Sequence, residues 1–416
     1  MAQLSNDCFA FGGALMSLDE ALALVAERLE PVPEVEEVAL GEADGRVLAA
    51  DIRAPIDLPP FANSAVDGYA VRHAALSAGE TRMPVVGRLA AGAVAPARVS
   101  SGAVRIFTGA PMPPGTDTVF MQEDVALAAD GAVLLPAGLK PGANSRPAGE
   151  DMPRGALALS AGRRLTPRDV ALLAALGQAR ISVRRRLRVA VFSTGDELAA
   201  LGAPLQPAQL YDSNRLLLLA LLARLGCETT DLGILRDRRE TVAAALDDAA
   251  PGHDLLLTSG GVSTGEEDHV KSAVESVGGL AFWRVGLKPG RPVAMGVVRG
   301  TPFIGLPGNP VAVFVTFAFV ARAILARLAG EERAPPRRYP VRAGFAYRKK
   351  EGRREYVRVR VTSGSDGVLV AAKHPREGAG ILTSLTETDG LVELGEDVTR
   401  VAEGEMVAFL PYDGLI

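Results

Sequence analysis

The chain has 416 residues, 48% of them apolar and 23% charged, with a formal net charge of −4. That length calls for several domains of about 100–200 residues each, and the near-neutral balance gives no reason to expect a nucleic-acid or acidic-membrane partner. The two cysteines, Cys8 and Cys227, and the four histidines lack zinc or CxxC spacing, which excludes a disulfide framework and a Cys/His metal site.

The first basic residue is Arg28, so the start lacks the charge of a signal peptide, and the free thiols fit the cytoplasm. Ser17, with Glu20 three positions on, has capping-box spacing and predicts a short helix over 21–29. From 31 to 150 the helical period disappears, and apolar runs at 104–107, 118–121 and 132–135 between Gly, Pro and Asp turns predict a small β domain. Thr166-Pro167 opens a helix that runs to Leu176 and closes at Gly177. After Arg186 the texture changes. Apolar runs at 187–192, 231–235, 254–258, 282–287, 293–298 and 301–306 alternate with helical stretches at 216–225, 241–249, 267–277 and 311–328. Buried strands alternating with helices imply βαβ units and a mainly parallel sheet. The run from Val311 is interrupted by Arg322, short of the ~20 residues that cross a bilayer, and predicts a buried helix and no membrane partner. Pro335-Pro336 marks a linker, and 339–416 shows only strand-like alternation with glycine turns. The fold class is multidomain α/β plus β: a central, mainly parallel α/β domain, a β domain before it and a C-terminal β-barrel.

In an open parallel sheet, ligands bind beyond the carboxyl ends of the strands. Loops 193–197, 259–268 and 306–310 occupy that position. Gly260-Gly261 lets backbone N–H groups approach an anion without Cβ obstruction, Ser259 and Ser263 add hydroxyls, and the next helix adds its positive end. Alone, the glycine pair reads more often as a plain turn than as a phosphate site, and the company of the two other loops strengthens the second reading. The same loops carry Asp196, Glu197, Glu266, Glu267 and Asp268, and Asp237 follows the intervening strand. Carboxylates around a phosphate cradle need a cation between them, so Asp237 and Asp268 read as Mg²⁺ ligands, and Asp196 and Glu266 as helix caps. Arg284, Lys288 and Arg291 bracket one turn, which suits an oxyanion or an exposed hairpin rim. Arginine-rich stretches at 184–186, 337–342 and 348–360 read as solvated faces. Within the last, Arg354, Tyr356, Arg358 and Arg360 share one strand face, and Val357, Val359 and Val361 share the other.

Six motifs occur in order along the chain: Asn63-Ser64-Ala65-Val66-Asp67-Gly68-Tyr69-Ala70, Ile106-Phe107-Thr108-Gly109-Ala110, Ser193-Thr194-Gly195-Asp196-Glu197-Leu198, Thr258-Ser259-Gly260-Gly261-Val262-Ser263, Lys288-Pro289-Gly290 and Gly305-Leu306-Pro307-Gly308-Asn309-Pro310. With these the chain resembles the MoeA/gephyrin E-domain family, the molybdopterin molybdenumtransferases, from about residue 17 to the C-terminus.

The resemblance implies an elongated cytoplasmic homodimer. Each chain would hold an N-terminal helix, 1–36, packing with the α/β domain; a small connecting domain, 37–60 and 151–185; a β domain, 61–150; the α/β molybdopterin-binding domain, 186–333; and the barrel, 334–416. It carries catalytic roles to Asp67, Thr108, Glu197, Asp237 and Asp268, with Glu197, Asp237 and Asp268 as metal positions. Substrate-binding roles fall to Ser259, Gly260, Gly261, Ser263, Arg284, Lys288, Arg291, Pro307, Gly308, Asn309 and Arg358. One departure is Gly378-Ala379, where members often have Gly-Ser.

The implied reaction places molybdate in the dithiolene of adenylylated molybdopterin, with Mg²⁺-dependent cleavage releasing AMP. Expected partners are the molybdopterin adenylyltransferase and the enzymes that accept the cofactor. The rival readings are that adenylyltransferase itself, whose domain shares the Thr-Ser-Gly-Gly loop, and a non-catalytic gephyrin-like scaffold. The long β segment and the barrel favour an insertase over the first, and the acidic positions favour an enzyme over the second.

Overall fold

In the computed structural model, which describes Ser5 and residues 16–95, 98–261, 269–290 and 292–416, the central sheet has six strands. Their order is Glu228–Leu235, Arg188–Thr194, Leu255–Ser259, Thr301–Leu306, Pro292–Val298 and Gly278–Arg284. The first four are mutually parallel, and Pro292–Val298 runs antiparallel to both neighbours. The continuous apolar runs have a simple cause: both faces are covered, as in α/β sheets generally. Val189, Val191, Leu255 and Leu257 face the helix Ser213–Arg224 and the long helix from Pro310. Ala190, Phe192, Leu256 and Phe303 face Arg239–Ala249 and His269–Val277. Along the central strands successive side chains alternate between the two cores, and the residues that enter either one are apolar.

Several elements differ from expectation. The strand expected at 282–287 begins at Gly278 and ends at Arg284, because its partner Pro292–Val298 offers seven paired positions. Leu287–Lys288 instead pairs in parallel with Arg354–Glu355 of the barrel. The helix expected at 216 starts at Ser213, where the Asp212 side chain accepts from Arg215 N at 3.2 Å. Positions 267–268 of the predicted 267–277 helix lie outside the described residues.

The last helix forms where it was expected and begins one residue earlier. Pro310–Leu328 spans 19 residues with mean hydropathy 2.0, and 89% of its apolar window is buried within the fold. Arg322 does not interrupt it; that side chain is itself buried and paired with Glu331. A π-turn at Phe317–Ala321 separates two α segments. Burial, not length, makes this a core helix.

The N-terminal helix Leu18–Arg28 is capped as its spacing requires: Ser17 Oγ accepts from Glu20 N at 3.2 Å, and Glu20 accepts from Ser17 N at 2.7 Å. Its Leu18, Ala21 and Val25 enter the same core as Ile324, Leu325 and Leu328.

The connecting elements pair Val35–Ala39 with Arg180–Arg184 and Ile52–Arg53 with Leu157–Leu159. Between these segments the chain forms a four-stranded sheet, Val85–Leu89, Ala103–Ile106, Gly68–Val71 and Thr118–Met121, and a three-stranded one, Thr81–Met83, Val133–Leu135 and Ala126–Leu127. At the C-terminus, Arg354–Ser363, Leu369–Lys373, Tyr339–Ala343, Met406–Pro411 and Gly390–Leu394 close into a five-stranded barrel, because Arg354–Ser363 also pairs with Gly390–Leu394.

One buried ion cluster ties the connecting segment to the α/β core. Glu331 accepts from Arg164 Nη2 at 2.7 Å and from Arg322 Nη2 at 2.8 Å. Burial would raise the Glu331 carboxyl, but the two guanidinium groups outweigh it and hold the pKa at about 2. The folded value lies below the ordinary 4.5, so the stabilisation is complete above that pH and is lost as pH falls toward 2. The urea midpoint should therefore drop across this window. Glu331→Gln should cost about 3–5 kcal/mol at neutral pH and flatten the pH slope. Identical slopes for the two proteins would show that Glu331 does not control the acid response.

Candidate active site

A cavity of about 570 Å³ opens where the carboxyl ends of the α/β strands meet the barrel. Eight sequence-predicted residues line it: Glu197, Gly260, Gly261, Pro307, Gly308 and Asn309 from the α/β side, Lys288 from the short strand that joins the barrel sheet, and Arg358 from the barrel. Others stand apart. Ser259 is buried as the last residue of its strand. Arg284 is exposed at the end of its strand, paired with Pro292 of the cavity wall, and does not itself line the cavity. Asp237 accepts from Thr194 Oγ1 at 3.1 Å, beside the turn that carries Glu197. Ser263, Glu266, Glu267, Asp268 and Arg291 lie outside the described residues.

The loops are shaped by glycine at two points. Gly195 has φ +148°, and a Cβ there would stand 2.4 Å from the Glu197 carboxylate, which folds back over it. Gly261 has φ +62°, and a Cβ would meet Val270 and Thr194 side-chain carbons within 3.0 Å. The expected anion cradle is narrower than two N–H groups, because Gly260 N donates to Leu306 O at 3.0 Å. That bond sets loop 260–261 beside loop 307–309, whose Gly308 carbonyl accepts from Asn214 Nδ2 at 2.7 Å. Asn309 and Pro310 then begin the long helix, so its positive end faces the cavity. Asp196 is not the helix cap its spacing suggested: the strand Leu198–Ala199 follows it, and Asp212 caps the next helix.

The barrel wall supplies the charge. Glu355, 1% exposed, accepts from Lys288 Nζ at 2.9 Å, Tyr347 OH at 2.9 Å and Arg353 Nη2 at 3.0 Å. Burial depresses the Lys288 ammonium, yet the interactions with Glu355 and Tyr347 together outweigh it and the net shift is upward, so Lys288 stays charged. Burial, then Glu355, pushes the Tyr347 phenol up. Lys373 pairs with Glu377, and its ammonium stands 5.4 Å from the Tyr347 ring centre, opposite Lys288 at 5.8 Å.

Arg358 differs from both lysines. It donates to the carbonyls of Gly378 at 3.0 Å, Arg376 at 3.2 Å and Glu377 at 2.7 Å, without a carboxylate partner among the described residues. Burial pulls its pKa down, but a guanidinium remains charged. The predicted solvated face is overturned here. Tyr356 and Arg358 are buried because the barrel packs on the long helix, with Tyr356 stacked on Phe319 at 4.0 Å between ring centres.

Sequence reasoning missed Tyr347, Glu355, Lys373, His374 and Glu377, all on the cavity wall. One signal was available. Glu355 shares its strand face with Val357 and Val359, and a lone carboxylate on an apolar face needs a buried partner.

Asp67 and Thr108 form a separate unit in the β segment. Asp67 accepts from Thr108 N and Oγ1, both at 2.8 Å, and these bonds, the backbone one first, hold its carboxyl below the ordinary value. Neither residue lines the cavity.

Comparison with known proteins fits this arrangement. Residues 16–177 match the "MoeA N-terminal region (domain I and II)", 190–327 the "Probable molybdopterin binding domain" and 340–412 the "MoeA C-terminal region (domain IV)". The molybdopterin molybdenumtransferase of Haemophilus influenzae is 38% identical over 404 residues, covering 97% of this chain and 100% of that protein. Molybdopterin molybdenumtransferase 2 of Mycobacterium tuberculosis is 35% identical, covering 94% of this chain and 98% of its own length. The crystal structure of the molybdopterin biosynthesis moeA protein from Pyrococcus horikoshii OT3 superposes with a TM-score of 0.81 at 29% identity, over 96% of this chain and all of that one. The chain therefore belongs to the molybdopterin molybdenumtransferase family, the MoeA-type transferases of molybdenum cofactor biosynthesis.

Proposed function

We propose that this chain is a molybdenum insertase that transfers molybdate into adenylylated molybdopterin and releases AMP and finished cofactor. The observation that carries the reading is the two-domain cavity, with phosphate-type loops on one wall and Lys288 and Arg358 on the other. Gly261, Gly308, Asn309 and the helix end suit the adenylyl pyrophosphate. Arg358, with three of its five N–H donors on carbonyls, has two left for an oxyanion, and Lys288 lies on the same wall. Soft sulfur ligands for molybdenum come from the dithiolene of the substrate, and no cysteine among the described residues lines the cavity.

Mg²⁺ fits the donors at hand. It is commonly held by one or two carboxylates together with substrate phosphate oxygens, and Glu197 and Asp237 flank the 194–197 turn, with Asp268 as the third candidate. The ion would supply charge neutralisation at the pyrophosphate. The protein's own part is to hold the phosphate chain against the loops and the oxyanion against Lys288 and Arg358. In this reading the protein is a cytoplasmic homodimer that takes its substrate from the adenylyltransferase and passes the product to cofactor-accepting enzymes.

Purified protein given adenylylated molybdopterin, Mg²⁺ and molybdate should release AMP and form active cofactor. Pyrophosphate release from ATP and the free pterin would instead identify an adenylyltransferase. Lys288→Ala should raise the molybdate requirement about 10–100-fold, the scale of one charge-assisted hydrogen bond, with pterin affinity nearly unchanged. Loss of pterin binding would move Lys288 to the phosphate end.

The separation of Asp67 and Thr108 from the cavity supports a site completed by the partner subunit. Asp67→Asn and Asp268→Asn subunits, each inactive alone, should recover roughly a quarter of wild-type activity when mixed equally, because half the dimers hold one intact composite site. Baseline activity despite exchange proven with differently tagged subunits would place Asp67 in cis or outside the reaction.

A further inference from the structure

Away from the cavity, a cleft of about 30 Å³ lies at the junction of the connecting segment and the α/β core, lined by Arg46, Arg164, Arg184, Arg185, Arg186 and Arg322. No acidic side chain among the described residues lines it. Carboxylates reach some of these arginines from behind: Glu36 meets Arg46, Asp254 and Glu34 meet Arg185, and Glu331 is shared between Arg164 and Arg322. Arg184 and Arg186 bond to the carbonyls of Val32 at 3.3 Å and Gly226 at 2.9 Å. Positive charge is therefore in excess.

The excess coincides with unused donors. Arg322 is 5% exposed, and its Nε and Nη1 are buried without a hydrogen-bond partner, as is Arg164 Nε. A buried donor left unpaired costs about 1–3 kcal/mol, more when charged. Arg333 registers the same field: burial first, then Arg322, depresses it to about 10. Burial pushes Cys227 up to about 11 against the pull of Arg164 and Arg322, so it is a neutral thiol and supplies no counter-charge. A water could meet one or two of these donors but would leave the charge standing.

We propose that this cleft is a binding site for one small monatomic anion of halide size, held by Arg322 Nη1 and Nε with Arg164 and serving to stabilise the junction. The volume suits a single halide or a water or two. The unpartnered nitrogens are three, Arg322 Nε and Nη1 and Arg164 Nε, which suit a single-centre ion better than the four oxygens of a tetrahedral one. Leu187, Leu225 and Leu325 complete the wall and keep the dielectric low, so the attraction is strong.

The test compares thermal midpoints of the full chain in chloride, bromide, sulfate and gluconate at one ionic strength. Chloride and bromide should raise the midpoint by about 2–4 °C over gluconate, saturably. Crystals grown in bromide should show an anomalous peak within hydrogen-bonding reach of Arg322 Nη1. Arg322→Lys keeps the charge beside Glu331 but loses the extra donors, and should abolish the halide increment. If that variant fails to fold, the bromide measurement on the wild-type protein still decides. Equal midpoints in chloride, bromide and gluconate, a halide increment that Arg322→Lys retains in full, or ordered water in place of bromide would each overturn the assignment; sulfate, which stabilises folded chains generally by exclusion, serves as the control for non-specific salt effects.

Discussion

A helix that is apolar all round must be covered all round, and Pro310–Leu328 imposes that requirement on most of this molecule. One side lies on the central sheet through Val313 and Phe317. The N-terminal helix covers Ile324, Leu325 and Leu328, across nearly three hundred residues of chain. The barrel covers the rest, with Tyr356 stacked on Phe319 and Tyr412 edge-on to Phe314 at 5.2 Å. The same packing brings the barrel wall over the helix N-terminus, where Val311 N donates to Ala379 O at 3.0 Å. The cavity between the two domains is thus a by-product of covering one helix.

Glu355 is the electrostatic counterpart of that helix. A carboxylate 1% exposed with three donors is stable only while all three remain. It fixes Lys288 on the short strand that crosses from the α/β domain to the barrel, so the lysine belongs to both. The ammonium is held in place before any ligand arrives, which lowers the entropy lost when one binds.

The alternation of strand and helix made the α/β core legible, because buried parallel strands must be continuously apolar and little else is. Barrel closure was less visible: it rests on pairing between Glu355–Val359 and Gly390–Leu394, a long-range register that local pattern does not encode. The face of 354–361 was misread for the same reason. Arginines and a tyrosine on one side look solvated until the long helix is laid against them. In the site, loops 260–261 and 307–309 were found because glycine and proline mark the carboxyl ends of strands. Tyr347, Lys373 and His374 carry no such mark, since they reach the wall only through the curvature of the barrel. The arginines at 184–186 show a further limit. Adjacent cations read as surface until Arg164 and Arg322 arrive from distant segments to bury the space between them.

Charge accounting on the cavity wall constrains how an oxyanion can be recognised. Lys288, Arg358 and Lys373 face it with Glu197, Glu355 and Glu377, so the described wall is nearly balanced. Net attraction therefore cannot do the selecting. Glu377 already holds Lys373, and Glu355 already holds Lys288. Arg358 alone among the three has only carbonyls, which orient its planar fork without cancelling its charge. Those carbonyls belong to 376–378, immediately before Ala379. The cation and the backbone next to Ala379 are consequently one rigid unit. In the proposed reaction, recognition of the oxyanion would fall to a positioned guanidinium backed by a lysine it must share with Glu355.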